Sequence, residues 1–222
     1  MARRNGKKEF AVIGLGRFGT SLAMTLMEQG FHVLGIDRDT EIVQRLSDQI
    51  TQAVSLDSTN EDALSAVDII SFDTVVVAIG NNFEGNLMTT VALKSLGVKH
   101  VVCKALTERQ QAILLRVGAD RVVLPEHEAG QRLAWVLAEP RVLDHLELGP
   151  GFSVAELRVP PSMVEHTLIE TDMRRRYGIN VLAVRRGSAL TVSPPVNYIF
   201  EENDILLVIG ADTSIARFCE LS

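Results

Sequence analysis

The stretch Phe10–Asp37 reads FAVIGLGRFGTSLAMTLMEQGFHVLGID, and it decides how this chain folds. A short apolar run ends in the glycine motif GLGRFG at 14–19, and an amphipathic segment continues to Gln29. A second apolar run then stops at Asp37. Strand, glycine turn, helix and strand in this order are typical of the first half of a dinucleotide-binding α/β fold.

Each glycine of the motif has a mechanical reason. Gly14 permits the tight turn, Gly16 lets a pyrophosphate approach the backbone, and Gly19 lets the helix pack closely against the sheet. The free N–H groups at the start of that helix then face the phosphates. Asp37 lies where a carboxylate accepts the ribose hydroxyls and repels a 2′-phosphate, which disfavours NADP. The alternative is a glycine turn that only packs the fold.

The chain alternates strands and helices as far as residue 124. Further strands are expected at 52–56, 74–79, 100–104 and 121–124, with helices at 40–49, 60–64, about fifteen residues ending at 96, and 107–117. Continuous apolar runs such as VVVAI at 75–79 indicate strands that are buried on both faces. The pattern predicts an α/β fold, a Rossmann-type, doubly wound, parallel six-stranded sheet.

The pattern changes near Leu143. A helix is expected at 128–138, followed by strands at 152–159, 180–185 and 205–209, and by helices at about 168–177 and from about 213. This is a small α+β domain without a glycine loop of its own. We predict a nucleotide-binding domain at 8–126, a crossover helix at 127–142 and the α+β domain at 143–222.

Bulk composition excludes several classes of protein. The net charge of −6 gives no basic excess for nucleic-acid binding, so no nucleic-acid partner is expected. The two cysteines, Cys103 and Cys219, suggest neither a disulfide framework nor a zinc site. Residues 2–8 are basic, like the start of a signal peptide, but only the first strand follows them. No apolar run reaches membrane-spanning length, so we expect a cytoplasmic protein that meets the membrane through a partner.

Five motifs carry a family resemblance: GLGRFG at 14–19, AIGNNFEGN at 78–86, GADRVVLPE at 118–126, RRRYGINVLAVRRG at 174–187 and NDILLVIG at 203–210. Together they resemble the KtrA/TrkA regulators of potassium uptake, which are RCK proteins (regulators of potassium conductance), over about 10–218. KtrA-type members look most similar, because Arg17 stands inside the loop and the chain has one Rossmann domain. The resemblance implies a regulator, not an enzyme, on the inner face of the cell membrane.

The resemblance also implies partners and ligands. Such proteins assemble as homo-oligomers, dimers that usually form an octameric ring, and gate an integral-membrane potassium-translocating subunit of the KtrB/TrkH type. ATP or ADP is the expected nucleotide, with NAD(H) as the alternative. In the family, a residue matching Glu126 helps to hold a divalent cation or Na⁺ near the nucleotide. One carboxylate is a poor site for such an ion, but phosphate and water often complete its coordination.

Several site residues leave two interpretations open. Arg17 can bind the terminal phosphate, or be a solvated arginine at a helix start that the dipole disfavours without an anion. Asp57 can accept from the adenine amine or form an Asx turn. Glu126 can bind the cation or be a favourable acid at a helix start. The predicted nucleotide contacts are Gly14, Gly16, Arg17, Phe18, Gly19, Asp37, Arg38, Asp57, Ser58, Ile79, Gly80, Asn81, Lys104 and Glu126.

The RRRYG cluster at 174–178 is explained by helix chemistry alone, since arginines in a last turn complement the dipole and a glycine ends the helix. The family resemblance adds a second interpretation, because some KtrA members bind cyclic di-AMP between paired C-terminal domains. The residues that match such a site are Arg174, Ile179, Asn180, Val181 and Pro194.

The competing function is an NAD-dependent oxidoreductase that uses the glycine loop for hydride transfer. That chemistry needs an acid/base group near the nicotinamide and a domain that closes over the substrate. The five histidines form no evident constellation with a substrate-binding arginine: His32, His100, His127, His145 and His166. The pattern therefore favours a nucleotide-sensing regulator.

Overall fold

A computed structural model of the chain describes residues 8–221. The basic segment at 2–8, apart from Lys8, and the last residue of the predicted α+β domain lie outside these residues. The chain divides into two compact units after His127. Within the described part, no helix combines the length and apolar character that crossing a membrane requires.

The first unit alternates strands and helices. Its elements are β1 (Glu9–Ile13), α1 (Arg17–Glu28), β2 (His32–Asp37), α2 (Thr40–Leu46), β3 (Gln52–Ser55), α3 (Glu61–Ala66), a 3₁₀ turn (Ile69–Ser71), β4 (Thr74–Val77), α4 (Phe83–Ser95), β5 (Val101–Lys104), α5 (Glu108–Arg116) and β6 (Arg121–Val123). Local capping explains where the helices begin, because polar side chains accept backbone N–H groups of the first turn. The caps are Asp39 on α2, Asn60 on α3, Asn82 on α4 and Thr107 on α5.

All six strands of the first sheet are parallel, in the order β3-β2-β1-β4-β5-β6. This confirms the predicted doubly wound Rossmann-type sheet. Apolar side chains of β1, β4 and β5 are fully buried, among them Val12, Val75 and Val101. The strand order reverses between β1 and β4, and ligands of such sheets bind outside the carboxyl ends of the strands at that point.

The second unit contains a five-stranded antiparallel sheet in the order β10-β9-β11-β8-β7. Phe200, Phe218 and Leu206 are fully buried in its core. Its elements follow the helix α6 (Pro125–Ala138) and are β7 (Val142–Gly149), β8 (Phe152–Arg158), a 3₁₀ turn (Pro161–Met163), α7 (Leu168–Thr171), α8 (Met173–Tyr177), β9 (Ile179–Arg186), β10 (Ala189–Val192), β11 (Ile205–Ala211) and α9 (Asp212–Cys219).

Four features of the second unit and of the helix that leads into it differ from the sequence expectation. Strand β7 is absent from the prediction, because two register shifts against β8 break its apolar alternation. Strand β10 is also absent, because it is short and mostly exposed. The helix expected at 168–177 is two helices, since Asp172 between them adopts a left-handed conformation with φ 44°. Helix α6 begins at Pro125 rather than at 128, which suits proline at a first helical position.

Candidate functional site

A cavity of about 690 Å³ lies at the carboxyl edge of the parallel sheet. All the predicted nucleotide contacts except Gly19 line it. Residues that line it without being predicted are Ile13, Ile36, Asp39, Ile42, Leu56, Thr59, Ala78, Asn82 and Gly85. Most of these follow or end a strand of the sheet, which is the signal that could have identified them.

The glycine loop has the geometry that its sequence predicts. Gly14 has φ +92° and donates its N–H to the Ile36 carbonyl oxygen at 2.7 Å. A Cβ built on Gly19 would lie 1.9 Å from the Gly14 carbonyl oxygen, so α1 packs against the turn only because Gly19 has no side chain. A Cβ on Gly16 meets nothing within 4 Å, so this exposed glycine keeps space open at the cavity.

Helix α1 begins at the cavity without a side-chain cap. Gly16 occupies the cap position, and the first turn contains no acidic residue. The N–H groups of a first helical turn need partners from outside the helix, and the helix dipole favours an anion there. The start of α1 is therefore suited to a phosphate group.

Asp37 joins the end of β2 to the glycine loop. Its Oδ2 accepts the Leu15 N–H at 2.6 Å, and its Oδ1 accepts the Asp39 N–H at 3.0 Å. These bonds hold the carboxylate in one orientation at the cavity. Each carboxylate oxygen has further acceptor capacity, so Asp37 can still accept hydroxyl groups of a ligand.

Arg17 lies at the first position of α1, exposed and on the cavity wall. Within residues 8–221 its guanidinium has no hydrogen-bond or ion-pair partner. A cation at the positive end of a helix is unfavourable unless an anion accompanies it. Its position thus matches the phosphate-binding interpretation better than that of a settled surface charge.

Lys104 and Glu126 form an ion pair at the other end of the cavity. The Lys104 side chain is 9% exposed, and its Nζ donates to Glu126 Oε1 at 2.5 Å. The same Nζ lies 5.4 Å from the centre of the Phe18 ring. The hydrogen bond from Lys104 holds the pKa of Glu126 below its usual value, with a smaller contribution from Arg17.

The Glu126 carboxylate lies at the start of a helix, and its role as a cation ligand stays a prediction. It lies in the first turn of α6, and its side chain is 59% exposed beside the cavity. Among the described residues, no group of three or more histidine, cysteine or acidic side chains could hold a metal ion. A cation at Glu126 therefore needs oxygen ligands from outside this chain's own acidic groups.

Asp57 and Ser58 both line the cavity, but their side chains have local partners. Asp57 Oδ1 accepts the N–H and the hydroxyl of Thr59, so the Asx turn is present. The backbone bond from Thr59, then its hydroxyl, hold the pKa of Asp57 below its usual value. The hydroxyl of Ser58 is hydrogen-bonded to Thr89 at 2.8 Å.

The rim beside Gly80 and Asn81 is held by a buried amide that the sequence reasoning did not identify. Asn86 is 1% exposed and donates to the carbonyl oxygens of Ile79 and Lys104, at 2.8 and 2.9 Å. It therefore ties the chain after β4 to the end of β5. A Cβ on Gly80 would lie 3.4 Å from Lys104 Nζ, which is an ordinary van der Waals contact.

A second cavity of about 310 Å³ lies in the second unit, beside α7, α8 and β9. Four of the residues that the family resemblance names line it: Arg174, Ile179, Asn180 and Val181. Pro194 is buried and does not line this cavity, whereas Val196 does.

Comparison with known proteins gives two family matches that together cover most of the chain. Residues 10–125 match the TrkA-N domain, and residues 154–222 match the TrkA-C domain. The Ktr system potassium uptake protein C of Bacillus subtilis is 41% identical over 212 residues, 96% of each chain. The Ktr system potassium uptake protein A of the same organism is 34% identical over 211 residues, 95% of each.

Solved structures share the fold at lower identity. The RCK domain of GsuK superposes with a TM-score of 0.68 and 17% identity, over 97% of this chain and 47% of that one. The GsuK channel bound to NAD superposes with a TM-score of 0.66 and 17% identity, over 98% of this chain and 40% of that one. This chain thus spans less than half of those chains. On its family domains and its Ktr relatives, the chain belongs to the KtrA/TrkA family of potassium-uptake proteins.

Proposed function

We propose that this protein is a nucleotide-sensing regulatory subunit of a potassium-uptake system, and that it binds nucleotide without turning it over. The observation that carries the proposal is the start of α1 in the large cavity, where the first turn has no side-chain cap and Arg17 has no ion-pair partner within the described residues. Both favour an anionic ligand. The relatives named as Ktr potassium uptake proteins supply the physiological setting.

The ligand in this proposal is ATP or ADP. Asp37 receives the ribose, the glycine loop and the start of α1 receive the phosphates, and Ile42 and Leu56 offer apolar surface to the base. NAD(H) is the second candidate, because a GsuK channel of the same fold is bound to NAD. A ligand changes a conformational equilibrium only by its differential affinity for the two states. Arg17 provides that difference if it binds a third phosphate.

The Lys104–Glu126 pair links the nucleotide to helix α6. A phosphate near Lys104 competes with Glu126 for its ammonium group, which frees the Glu126 carboxylate to bind a divalent cation or Na⁺. Phosphate and water complete the coordination of such an ion. Nucleotide binding thereby changes the contacts of Glu126 in the first turn of α6, the helix that carries the chain into the second unit.

The proposed assembly follows the family. Copies of this chain pair and form a ring, octameric in this proposal, on a KtrB/TrkH-like membrane subunit at the cytoplasmic face. In the second unit, the cavity beside Arg174 is proposed to bind cyclic di-AMP between paired copies. An oxidoreductase is the less favoured alternative, because no histidine of the described residues lines the large cavity, and the proposed role needs no acid/base chemistry.

Binding of ATP, ADP and NADH to the purified full chain tests the proposal. We expect Arg17→Ala to weaken ATP by about tenfold, as loss of a charge-assisted hydrogen bond would, and ADP by much less. Arg116→Ala, which removes an exposed arginine of α5, should change neither. Glu126→Gln should remove the Mg²⁺ dependence of ATP binding while ADP still binds.

Equal losses of ATP and ADP affinity in Arg17→Ala would show that Arg17 does not bind the third phosphate. Steady NADH turnover with any small hydroxy acid would refute the regulator and favour the oxidoreductase. Tight NADH binding without turnover, and no ATP binding, would keep the regulator but change its ligand.

A further inference from the structure

The single tryptophan of the chain stacks on a buried histidine. Trp135 of α6 and His145 of β7 have ring centroids 4.4 Å apart and planes 12° apart. His145 is 7% exposed. Both residues belong to the second unit, whereas α6 begins at Pro125 in the first. This stack is therefore one point at which α6 is attached to the second unit.

The imidazole of His145 has an unused nitrogen. Within the described chain its Nε2 is buried and has no hydrogen-bond partner, which is uncommon for a buried polar atom. Asp212 Oδ1, at the first position of α9, lies 4.0 Å from it. The Ser153 hydroxyl donates to that oxygen at 2.6 Å and holds the carboxylate in place. In the neutral tautomer that carries its hydrogen on Nδ1, Nε2 is an acceptor like the carboxylate, so the two cannot bond to each other.

The charged residue that precedes this histidine in β7 is itself ion-paired. Asp144, the preceding residue of β7, accepts the His145 N–H at 2.8 Å and is ion-paired with Arg132 of α6. On β8, the position opposite His145 is Ala155, which carries no charge. The hydrogen bond from Arg132, with help from that N–H, holds the pKa of Asp144 below its usual value.

Beyond the C-terminal end of α6, two charged residues act on a buried thiol. Glu139 follows α6, and its charge and that of Arg141 act on Cys219 of α9. Burial, aided by Glu139, raises the pKa of the Cys219 thiol to about 11, so this thiol stays neutral at cellular pH.

We propose that His145 is a proton-operated clasp that fastens the C-terminal part of α6 to the second unit. When Nε2 takes a proton from solvent, it becomes a donor, and the imidazolium can close on Asp212 Oδ1 as a charge-assisted hydrogen bond. The same cation lies against the face of Trp135, and this contact is attractive. Acidification therefore tightens the attachment of the helix that leads from one unit into the other.

This clasp does not depend on the proposed nucleotide function, because all its parts lie within the second unit. Its predicted consequence is a regulator that responds to cytoplasmic pH as well as to its ligand. Histidine is the side chain whose charge changes between about pH 5 and 8 without unusual surroundings.

The fluorescence of Trp135 tests the clasp directly in the full chain. A protonated imidazole stacked on an indole quenches its emission, so we expect the intensity to fall in one step as the pH drops from 8.5 to 5. His145→Gln should abolish this step. His166→Gln, which removes an exposed histidine of the same unit, should leave it unchanged. Asp212→Asn should move its midpoint down by about one pH unit, because the attracting charge is gone.

An equal step in His145→Gln, or an unmoved midpoint in Asp212→Asn, would overturn the proposal. A second measurement uses the wild-type protein and so does not depend on whether the variants fold. In proton NMR spectra, the His145 ring signal identified by its contact with Trp135 must titrate at the fluorescence midpoint; no titration between pH 5 and 8 would refute the clasp. Hydrogen exchange of residues 130–138, corrected for its intrinsic pH dependence, should slow on acidification in the wild type only.

Discussion

At the scale of single residues, the three glycines of the loop have different physical duties. Gly14 is needed for its positive φ, and Gly19 for the space that its missing side chain leaves beside the Gly14 carbonyl. Gly16 is needed for neither reason, since a side chain there would meet no atom of the described protein. Its missing side chain matters only if a ligand lies close to the backbone. The spacing of the motif predicts these separate roles, and the structure adds the positive φ of Gly14 and the close approach at Gly19.

This difference yields a residue-scale prediction. Gly19→Ala should lower the free energy of unfolding of the first unit by about 1–3 kcal/mol, because the new methyl group overpacks the turn. Gly16→Ala should fold with nearly normal stability but lose most of its ATP binding. Thermal unfolding and calorimetric titration measure the two effects separately. Normal ATP affinity in a folded Gly16→Ala protein would place the phosphates elsewhere.

At the scale of elements, an ion pair with a buried carboxylate joins the second sheet to the loop before β11. Asp204, just before β11, is fully buried and accepts from Arg186 of β9 at 2.8 and 2.7 Å, and from the Glu201 N–H at 2.9 Å. Burial acts to raise the pKa of Asp204, but the bonds from Arg186 and from that N–H outweigh it, and the pKa lies below its usual value. Strand β9 and the loop before β11 are thus connected through the Asp204 carboxylate, which must stay ionised.

The sign of the pH effect follows from the lowered pKa. The stabilisation from Asp204 is present above about pH 4, the ordinary value of an unfolded aspartate, and is lost as the pH falls through the folded pKa. Asp204→Asn should lower the free energy of unfolding of the second unit by about 3 kcal/mol at pH 7, and flatten its loss in acid. Chemical denaturation at pH 7 and pH 3 measures both effects.

Glu201→Gln is the matched control, because Glu201 pairs with the same arginine but its side chain is 63% exposed. Exposed ion pairs contribute little, so Glu201→Gln should lower the free energy of unfolding by less than about 1 kcal/mol. Equal losses for the two variants would show that burial of Asp204 does not govern the energy of the pair.

At the scale of the whole molecule, the two units carry separate cavities and separate cores. The single tryptophan belongs to the second unit, so its fluorescence reports the unfolding of that unit, whereas circular dichroism reports both. This gives a way to assign ligands to units without cutting the chain.

We expect ATP at one hundred times its dissociation constant to stabilise the first unit by about 2.7 kcal/mol. The unfolding of the first unit in urea is seen by circular dichroism but not by tryptophan fluorescence. ATP should move that transition to higher urea concentration. Cyclic di-AMP should instead shift the fluorescence transition, and Arg174→Ala should remove that shift. A fluorescence transition that moves with ATP but not with cyclic di-AMP would contradict the assignment of ligands to cavities.

Much of this protein was determined by local sequence. The glycine motif, the apolar runs and the capping residues Asn60 and Thr107 specify strands, turns and helix starts through contacts between residues close in the chain. For the same reason the sequence predicted the parallel six-stranded sheet and the cavity residues at the ends of its strands. Strands β7 and β10 were not predicted, because bulges and exposure weaken their period-two pattern.

Only the tertiary structure decided which distant residues meet. Lys104 bonds to Glu126 across 22 positions, Asn86 ties two strand ends together, and His145 faces Asp212. These contacts depend on strand order and on which distant segments pack together, which local hydrophobic periodicity does not encode. The sequence by itself therefore determined that the chain has a glycine loop that favours a phosphate. The fold decided that, within residues 8–221, Arg17 stands beside it without an ion-pair partner, and that the buried Nε2 of His145 lies 4.0 Å from Asp212 Oδ1.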